Sequence, residues 1–224
     1  MTATVDALSA WADYPASSTP RPVVLVDGYV RVGSSGFVGG DAKLAFVAGA
    51  IDSQVEIPDG VRELLPPPAG GPPDRSGPRI TVTAIRRSQA TFLTDRGRRT
   101  LPTYAVAFDG TREPVQVLDP AVPVWWPKRP TPDGIANGSA TIEADGLTLH
   151  VPAMGGVLTE FLGCRFTESD TAVLAQPLTR ERDAEGAAVP AVGICVQVSG
   201  RLAGPLGPRV LVDTDGLPLA VLPA

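Results

Sequence analysis

Histidine occurs once in this chain, at His150, and cysteine only twice, at Cys164 and Cys195. One histidine cannot build a histidine-based metal site. Adding both cysteines still leaves a zinc set one donor short unless a carboxylate joins, so no metal or other cofactor is expected. No stretch approaches the ~18 consecutive apolar residues of a membrane helix. The start, MTATVDALSAWADY, has no basic region followed by an unbroken apolar core, because Asp6 and Asp13 interrupt it. These absences lead to the expectation of a soluble chain without a membrane span, placed in the cytoplasm. The cell envelope or exterior, reached by a non-classical route, is the alternative.

Motifs of catalysis are missing as well. There is no G-x-G-x-x-G, no G-x-x-x-x-G-K-[ST] and no H-E-x-x-H. The run GSSGF at 33–37 fails as a serine-nucleophile elbow, because Phe37 stands where the second glycine is needed. Asp213-Thr214-Asp215-Gly216 opens like a calcium loop, but the twelfth position holds Ala224 instead of glutamate. It reads as a turn.

What is abundant is turn chemistry. The 224 residues include 24 Gly and 24 Pro, with 43% hydrophobic and 19% charged residues. That much apolar content suits a folded chain, while the prolines exclude long helices and central strands in their vicinity. The expected fold is mostly β, with short antiparallel strands in one or two sandwich- or barrel-like domains and at most one or two short helices. Six Asp-Gly pairs mark corners; those in VVLVDGYVRV and SATIEADGLTLHVP lie between apolar runs and read as hairpins. GPRVLVDTDGLPLAVLP reads as another. Ala42–Ala48, with Asp41 before it and Gly49 after it, is the place where a short helix competes with a strand, and helix is the reading adopted.

Taken in order, residues 1–22 read as a flexible arm, with Trp11 either frayed or docked on a partner or on the protein's own body. Residues 23–120 form a β-rich domain, interrupted by the Pro/Gly-rich loop 64–79. Residues 121–136 form a linker around Trp125-Trp126 with prolines at 123, 127, 130 and 132 and Pro120 directly before it. Residues 137–224 form a second β-rich domain, with a loop at 182–191. AVAFDGTREPVQVLDP and RVLVDTDGLPLAVLPA resemble each other enough to raise an internal duplication.

Charge divides the chain. Residues 1–130 carry 14 Lys/Arg against 13 Asp/Glu, whereas residues 131–224 carry 5 against 11, a balance of −6. Polyanions are therefore disfavoured as partners of the second half. In the first half, Arg86, Arg87, Arg96, Arg98 and Arg99 fall within one strand-turn-strand stretch. They would make either an anion-binding strip or a solvated polar face. Trp125 and Trp126 would either meet a ligand or pin the linker into a groove. In GLTLHVP, Leu147, Leu149 and Val151 share one strand face, which leaves His150 on the other with Thr148. That is a surface histidine with no nucleophile tied to it by any motif. Cys164 and Cys195 are 31 residues apart. A bond between them would contribute about 3 kcal/mol on the loop-entropy account, and two reduced thiols are the alternative.

Cys164, the run Glu168–Val173, Cys195 and the segment Pro205–Asp213 together resemble a loosely defined set of uncharacterised β-rich proteins, often exported or lipoprotein-type, from high-GC bacteria. The predominance of arginine over lysine, with only Lys43 and Lys128, agrees with a high-GC genome. The resemblance covers about sixty residues and brings no activity. It implies a Cys164–Cys195 disulfide and an envelope setting. As a whole, the sequence reads as a non-catalytic β-rich binding or structural protein that meets a protein partner or itself. An enzyme with a carboxylate-based site, or an anion- or nucleic-acid-binding module using the Arg86–Arg99 hairpin, is the competing reading.

Overall fold

The computed structural model of the chain describes residues 7–67, 77–127, 138–183 and 192–224. Most of the Pro/Gly-rich loop, the second part of the Pro/Trp linker and nearly all of the 182–191 loop lie outside the described residues. The chain divides into two compact units. Unit 1 comprises Met1–Val26, Leu93–Gly97 and Val124–Ala224, and unit 2 comprises Asp27–Phe92 and Arg98–Pro123. The fold is mostly β, no sheet closes into a barrel, and the helical segments are short: residues 7–9 and two helices in unit 2.

The elements of unit 2 are β1 (Val30–Arg31), α1 (Gly40–Val47), β2 (Ile51–Ser53), α2 (Asp59–Leu64), β3 (Ile80–Thr94), β4 (Gly97–Phe108) and β5 (Val115–Leu118), the β3 and β4 residues within Leu93–Gly97 belonging to unit 1. They form a sheet of order β1-β5-β4-β3-β2, antiparallel except for the parallel β2–β3 pair. Phe46 and Val61 from the helices bury against Ile80, Val82, Val106 and Val117. The Ala-rich run does form α1, and Asp41 lies in its first turn; the N-cap, however, is Gly39. Gly49 ends the helix with φ +65°, where a side chain would also strike the Pro67 carbonyl. Only glycine fits there.

Unit 1 is a sandwich. One sheet has the order β10-β7-β6-β12, from β6 (Ser139–Ile142), β7 (Thr148–Gly155), β10 (Ile194–Arg201) and β12 (Ala220–Pro223). The other has the order β11-β9-β8, from β8 (Thr159–Glu168), β9 (Ala172–Glu181) and β11 (Val210–Val212). Leu149, Val151, Val198 and Val221 of the first sheet meet Val173, Ala175 and Leu211 of the second. Asp145-Gly146 makes the expected hairpin: Gly146 has φ +67°, and β6 and β7 pair antiparallel with Thr141 opposite His150.

The runs Ala172–Ala175 and Val210–Val212 are buried at every position. Unbroken burial requires cover on both faces of a strand. Here the second cover is the N-terminal segment, whose Trp11, Tyr14 and Val24 pack on Ala172, Leu174, Val210 and Val212. Ala7, Trp11, Tyr14 and Ala16 thus form a packed layer of the unit, with Trp11 docked on the protein's own body, while residues 17–20 are exposed.

Other expectations are corrected too. Val23–Val26 and Val30–Arg31 do not pair with each other across Asp27-Gly28: Leu25 bridges to Thr94, and β1 pairs with β5. The C-terminal stretch does close as a hairpin, with Val212 bridging antiparallel to Pro218 and the Leu219 N–H donating to the Leu211 carbonyl at 2.8 Å, but its arms then enter different sheets, β11 running parallel to β9 and β12 parallel to β6. At the β4–β5 corner both arms stay neighbours in one sheet, so the two similar stretches differ in where their second arms go. β3 and β4, at 15 and 12 residues, are longer than the short strands expected.

The two cysteines are free thiols, so the implied disulfide is not formed. Their strands do pass each other, but in the wrong register. A side chain on Gly200 would meet the Cys164 carbonyl oxygen at 2.3 Å, which places Cys164 beside Gly200, five residues along β10 from Cys195. At ~3.3 Å per residue that is roughly 16 Å, far beyond the ~4.4–6.8 Å between α-carbons that a disulfide spans. Burial pushes the Cys164 thiol up to about 11, whereas Cys195 is exposed. Titration of native protein with a thiol reagent at pH 8 is expected to label Cys195 first and Cys164 at least about tenfold more slowly. Reductant should leave the total unchanged; a total that rises on reduction would show a bond after all.

Candidate functional site

The five arginines do not assemble into a strip. Adjacent residues of a strand point to opposite faces, so Arg86 and Arg87 diverge on β3, as do Arg98 and Arg99 on β4. The hydroxyls of Thr91 and Thr100 are 3.3 Å apart across the two strands. Arg98 and Arg99 lie beside that rung, whereas Arg87 and Arg86 are four and five residues beyond it, roughly 13 to 17 Å away. Arg96 belongs to unit 1. Its Nη2 donates to the carbonyls of Gly207 and Arg209 at 2.6 and 2.5 Å, and its Nε lies 3.6 Å from Asp95.

Of the tryptophans, Trp125 packs at a 38° tilt against the fully buried Trp11 at 4.9 Å and meets Tyr14 edge-on at 5.1 Å. Trp126 beside it is half-buried. His150 lies on the outer face of β7, 2.9 Å from Glu143.

Sequence reasoning placed no site at the C-terminal turn, yet a cleft of about 220 Å³ opens there in unit 1. Its apolar lining includes Ala153 of β7, Ala175 and Pro177 of β9, and Leu219. Asp213, Thr214 and Asp215 form its polar side, and Met154, 57% exposed, stands on its rim. The turn is built by Asp213 itself. Its Oδ1 accepts from the backbone N–H groups of Asp215 and Leu217 at 3.0 and 2.9 Å, the Asx arrangement that lets aspartate replace a backbone partner. Gly216, at φ +81°, completes the turn, and its carbonyl accepts from Trp11 Nε1 at 2.9 Å.

Electrostatics set this turn apart. Elsewhere in unit 1, Asp95 pairs with Arg21, Asp145 with Arg201, Glu160 with Arg180 and Glu168 with Arg209. Among the described residues no salt bridge includes Asp213 or Asp215. Burial raises the carboxyl of the half-buried Asp213, and the neighbouring charge of Asp215 adds to the rise, against the lowering effect of its backbone hydrogen bonds. A signal for this was present in the sequence: D-T-D-G follows VLV directly, so its first carboxylate inherits the burial of the strand. The turn reading accounted for the glycine and left the carboxylate's surroundings open.

A raised carboxyl has a consequence for stability. The folded state holds the Asp213 proton to higher pH than the unfolded chain, whose aspartates titrate near ~3.9. The stability this contributes is fully present below the unfolded value and is lost as pH rises through the folded one. Asp213→Asn keeps the Oδ1 acceptor and removes the charge. It is expected to stabilise the protein at pH 7.5 by on the order of 0.5 kcal/mol, given the partial exposure of the side chain, or about 1–2 °C in Tm. At pH 3.5 the advantage should vanish. A Tm deficit at pH 7.5 would show that the charge strengthens the turn.

No group of three or more His, Cys, Asp or Glu among the described residues is placed to hold a metal ion, and no helix among them is long and apolar enough to cross a membrane. No family model, curated protein or solved structure matches the chain. The cleft is therefore read from its own chemistry.

Proposed function

We propose that the protein is a non-catalytic binding protein whose ligand-facing surface is the unit 1 cleft beside the Asp213–Leu217 turn. The observation that carries the proposal is a half-buried carboxylate that has no cationic partner among the described residues and is held by two backbone N–H groups beside a cleft of mixed polar and apolar lining. Such a group costs stability in the free protein, and an occupant of the cleft is what would offset it. The volume supports a contact by one side chain. It falls below the ~300–1,000 Å³ of pockets that enclose a whole small molecule and equals the liquid share of about seven waters.

An acid–base enzyme is the second reading. It has one observation in its favour, since a raised carboxyl beside another acid in a cleft is how many catalytic groups are placed. Against it, one Asp213 oxygen is already committed to shaping its own turn.

The binding reading is tested by selecting random displayed peptides on the full chain and comparing them with Met154→Lys, which alters the rim alone. Selected peptides are expected to lose at least about tenfold in affinity for the variant, equivalent to about 1.4 kcal/mol. Binders indifferent to the rim would overturn the assignment of the cleft.

A further inference from the structure

Resting on that binding reading, we infer that the cleft receives a long cationic side chain, arginine in preference to lysine, presented by an apolar-flanked segment of a partner protein. Three features of the cleft agree on this occupant. Its polar side carries two carboxylates and, among the described residues, no cation, so a positive charge is the complement it lacks. Its remaining wall is apolar, formed by Ala153, Ala175, Pro177 and Leu219, which suits the methylene stem that arginine and lysine bury while their heads meet polar groups. Its volume matches one such side chain and not a folded element.

The surroundings extend the match. Met154 and Val192 are 57% and 53% exposed, and the Met154 methyl lies 3.9 Å from where a side chain on Gly193 would begin. An unbranched thioether of this kind adapts to varied apolar partners, so a leucine or valine next to the cationic residue would find a place on the rim. The balance of −6 over residues 131–224 steers a basic segment toward this half of the chain and repels nucleic acid. Arginine is favoured because its planar fork presents several donors at once, and Asp213 and Asp215 stand two residues apart across one turn.

The test uses the full chain and three capped five-residue peptides, Ala-Leu-X-Leu-Ala, with X as arginine, lysine or citrulline. Citrulline keeps the shape of arginine and lacks the charge. Binding is read from the Met154 methyl and Asp215 amide NMR signals and from titration at low and high salt. The arginine peptide is expected to bind about tenfold more tightly than the citrulline peptide, the scale of one charge-assisted hydrogen bond, with lysine between them. Asp215→Asn, an exposed substitution that leaves the Asp213 bonds in place, should remove most of the difference, and salt should weaken the arginine peptide selectively. Equal binding of arginine and citrulline peptides would overturn the cationic occupant while leaving the cleft a binding site. No movement of either signal with any peptide at millimolar concentration would overturn both the occupant and the binding reading.

Discussion

Asp95→Ala is expected to lose about 3–5 kcal/mol of stability, the range for removing one member of a buried ion pair. Asp95 is only 2% exposed and sits at the tip of the β3–β4 hairpin, in the segment Leu93–Gly97 that packs as part of unit 1. Both its oxygens meet the Arg21 guanidinium, and Arg96 approaches one of them. Its backbone is engaged as well, the N–H donating to the Val24 carbonyl at 3.0 Å and the carbonyl accepting from Val221 at 3.1 Å. Truncation leaves those backbone bonds possible but strands two guanidinium groups in a partly dry site. Arg21 also lies 5.0 Å over the Tyr14 ring, and burial, opposed by Arg21, pushes the Tyr14 phenol up to about 12. Losing Asp95 therefore disturbs the aromatic layer beneath.

The expected result is a shift of the denaturation midpoint of unit 1, read from tryptophan fluorescence, since Trp11, Trp125 and Trp126 all belong to it. The double variant Arg21→Ala/Asp95→Ala should be less harmful than the sum of the single changes, by at least about 1 kcal/mol. A loss below about 1 kcal/mol for Asp95→Ala, or strict additivity, would show that the pair is neutral and that the hairpin tip is held by its backbone alone.

The same hairpin shows where the sequence was legible and where it was not. ITVTAI and TYAVAF declare strands by their β-branched and aromatic content, and T-D-R-G declares the turn between them. That Asp95 would be buried was not readable. Its partner Arg21 is 74 residues away, and a charged turn residue is exposed by default. Local signals were reliable where both partners lie close in the chain, as with β6 and β7 around Asp145-Gly146 or α1 before Gly49. They failed where a strand chose a distant neighbour. VVLV and YVRV looked like the arms of one hairpin, yet one bridges to Thr94 and the other joins β5. The C-terminal turn was legible as a turn, but nothing local says that its arms enter two sheets, which is what opens a cleft beside it. Cys164 and Cys195 failed on register, which strand content alone does not specify.

Asp213 links this architecture to the proposed role. A sequence under selection for stability alone would place asparagine there, since the amide keeps the turn without the charge. The expected gain from Asp213→Asn, set beside an expected loss of cationic peptide binding in the same variant, is the exchange of stability for function found at many sites. If the variant both stabilises the protein and still binds the arginine peptide at full strength, Asp213 contributes only geometry.

Trp11→Ala should cost about 3–5 kcal/mol, as large-to-small changes of fully buried aromatic residues do. The indole is 0% exposed, packs at a tilt against Trp125 at 4.9 Å and edge-on against Tyr14 at 5.9 Å, and covers the outer faces of β9 and β11. Its removal uncovers strands whose burial on both faces depends on this layer. Trp11→Phe separates packing from hydrogen bonding. The smaller ring keeps much of the apolar contact but leaves the Gly216 carbonyl without its indole donor, at a cost of about 1–3 kcal/mol. Because Gly216 belongs to the turn that Asp213 shapes, this milder variant is also expected to shift the amide signals of Asp215 and Leu217 and to weaken arginine-peptide binding. Weakened packing with unchanged turn signals would show that the N-terminal layer supports the sheet alone. Shifted signals with near-native stability would make Trp11 the positioning residue of the cleft.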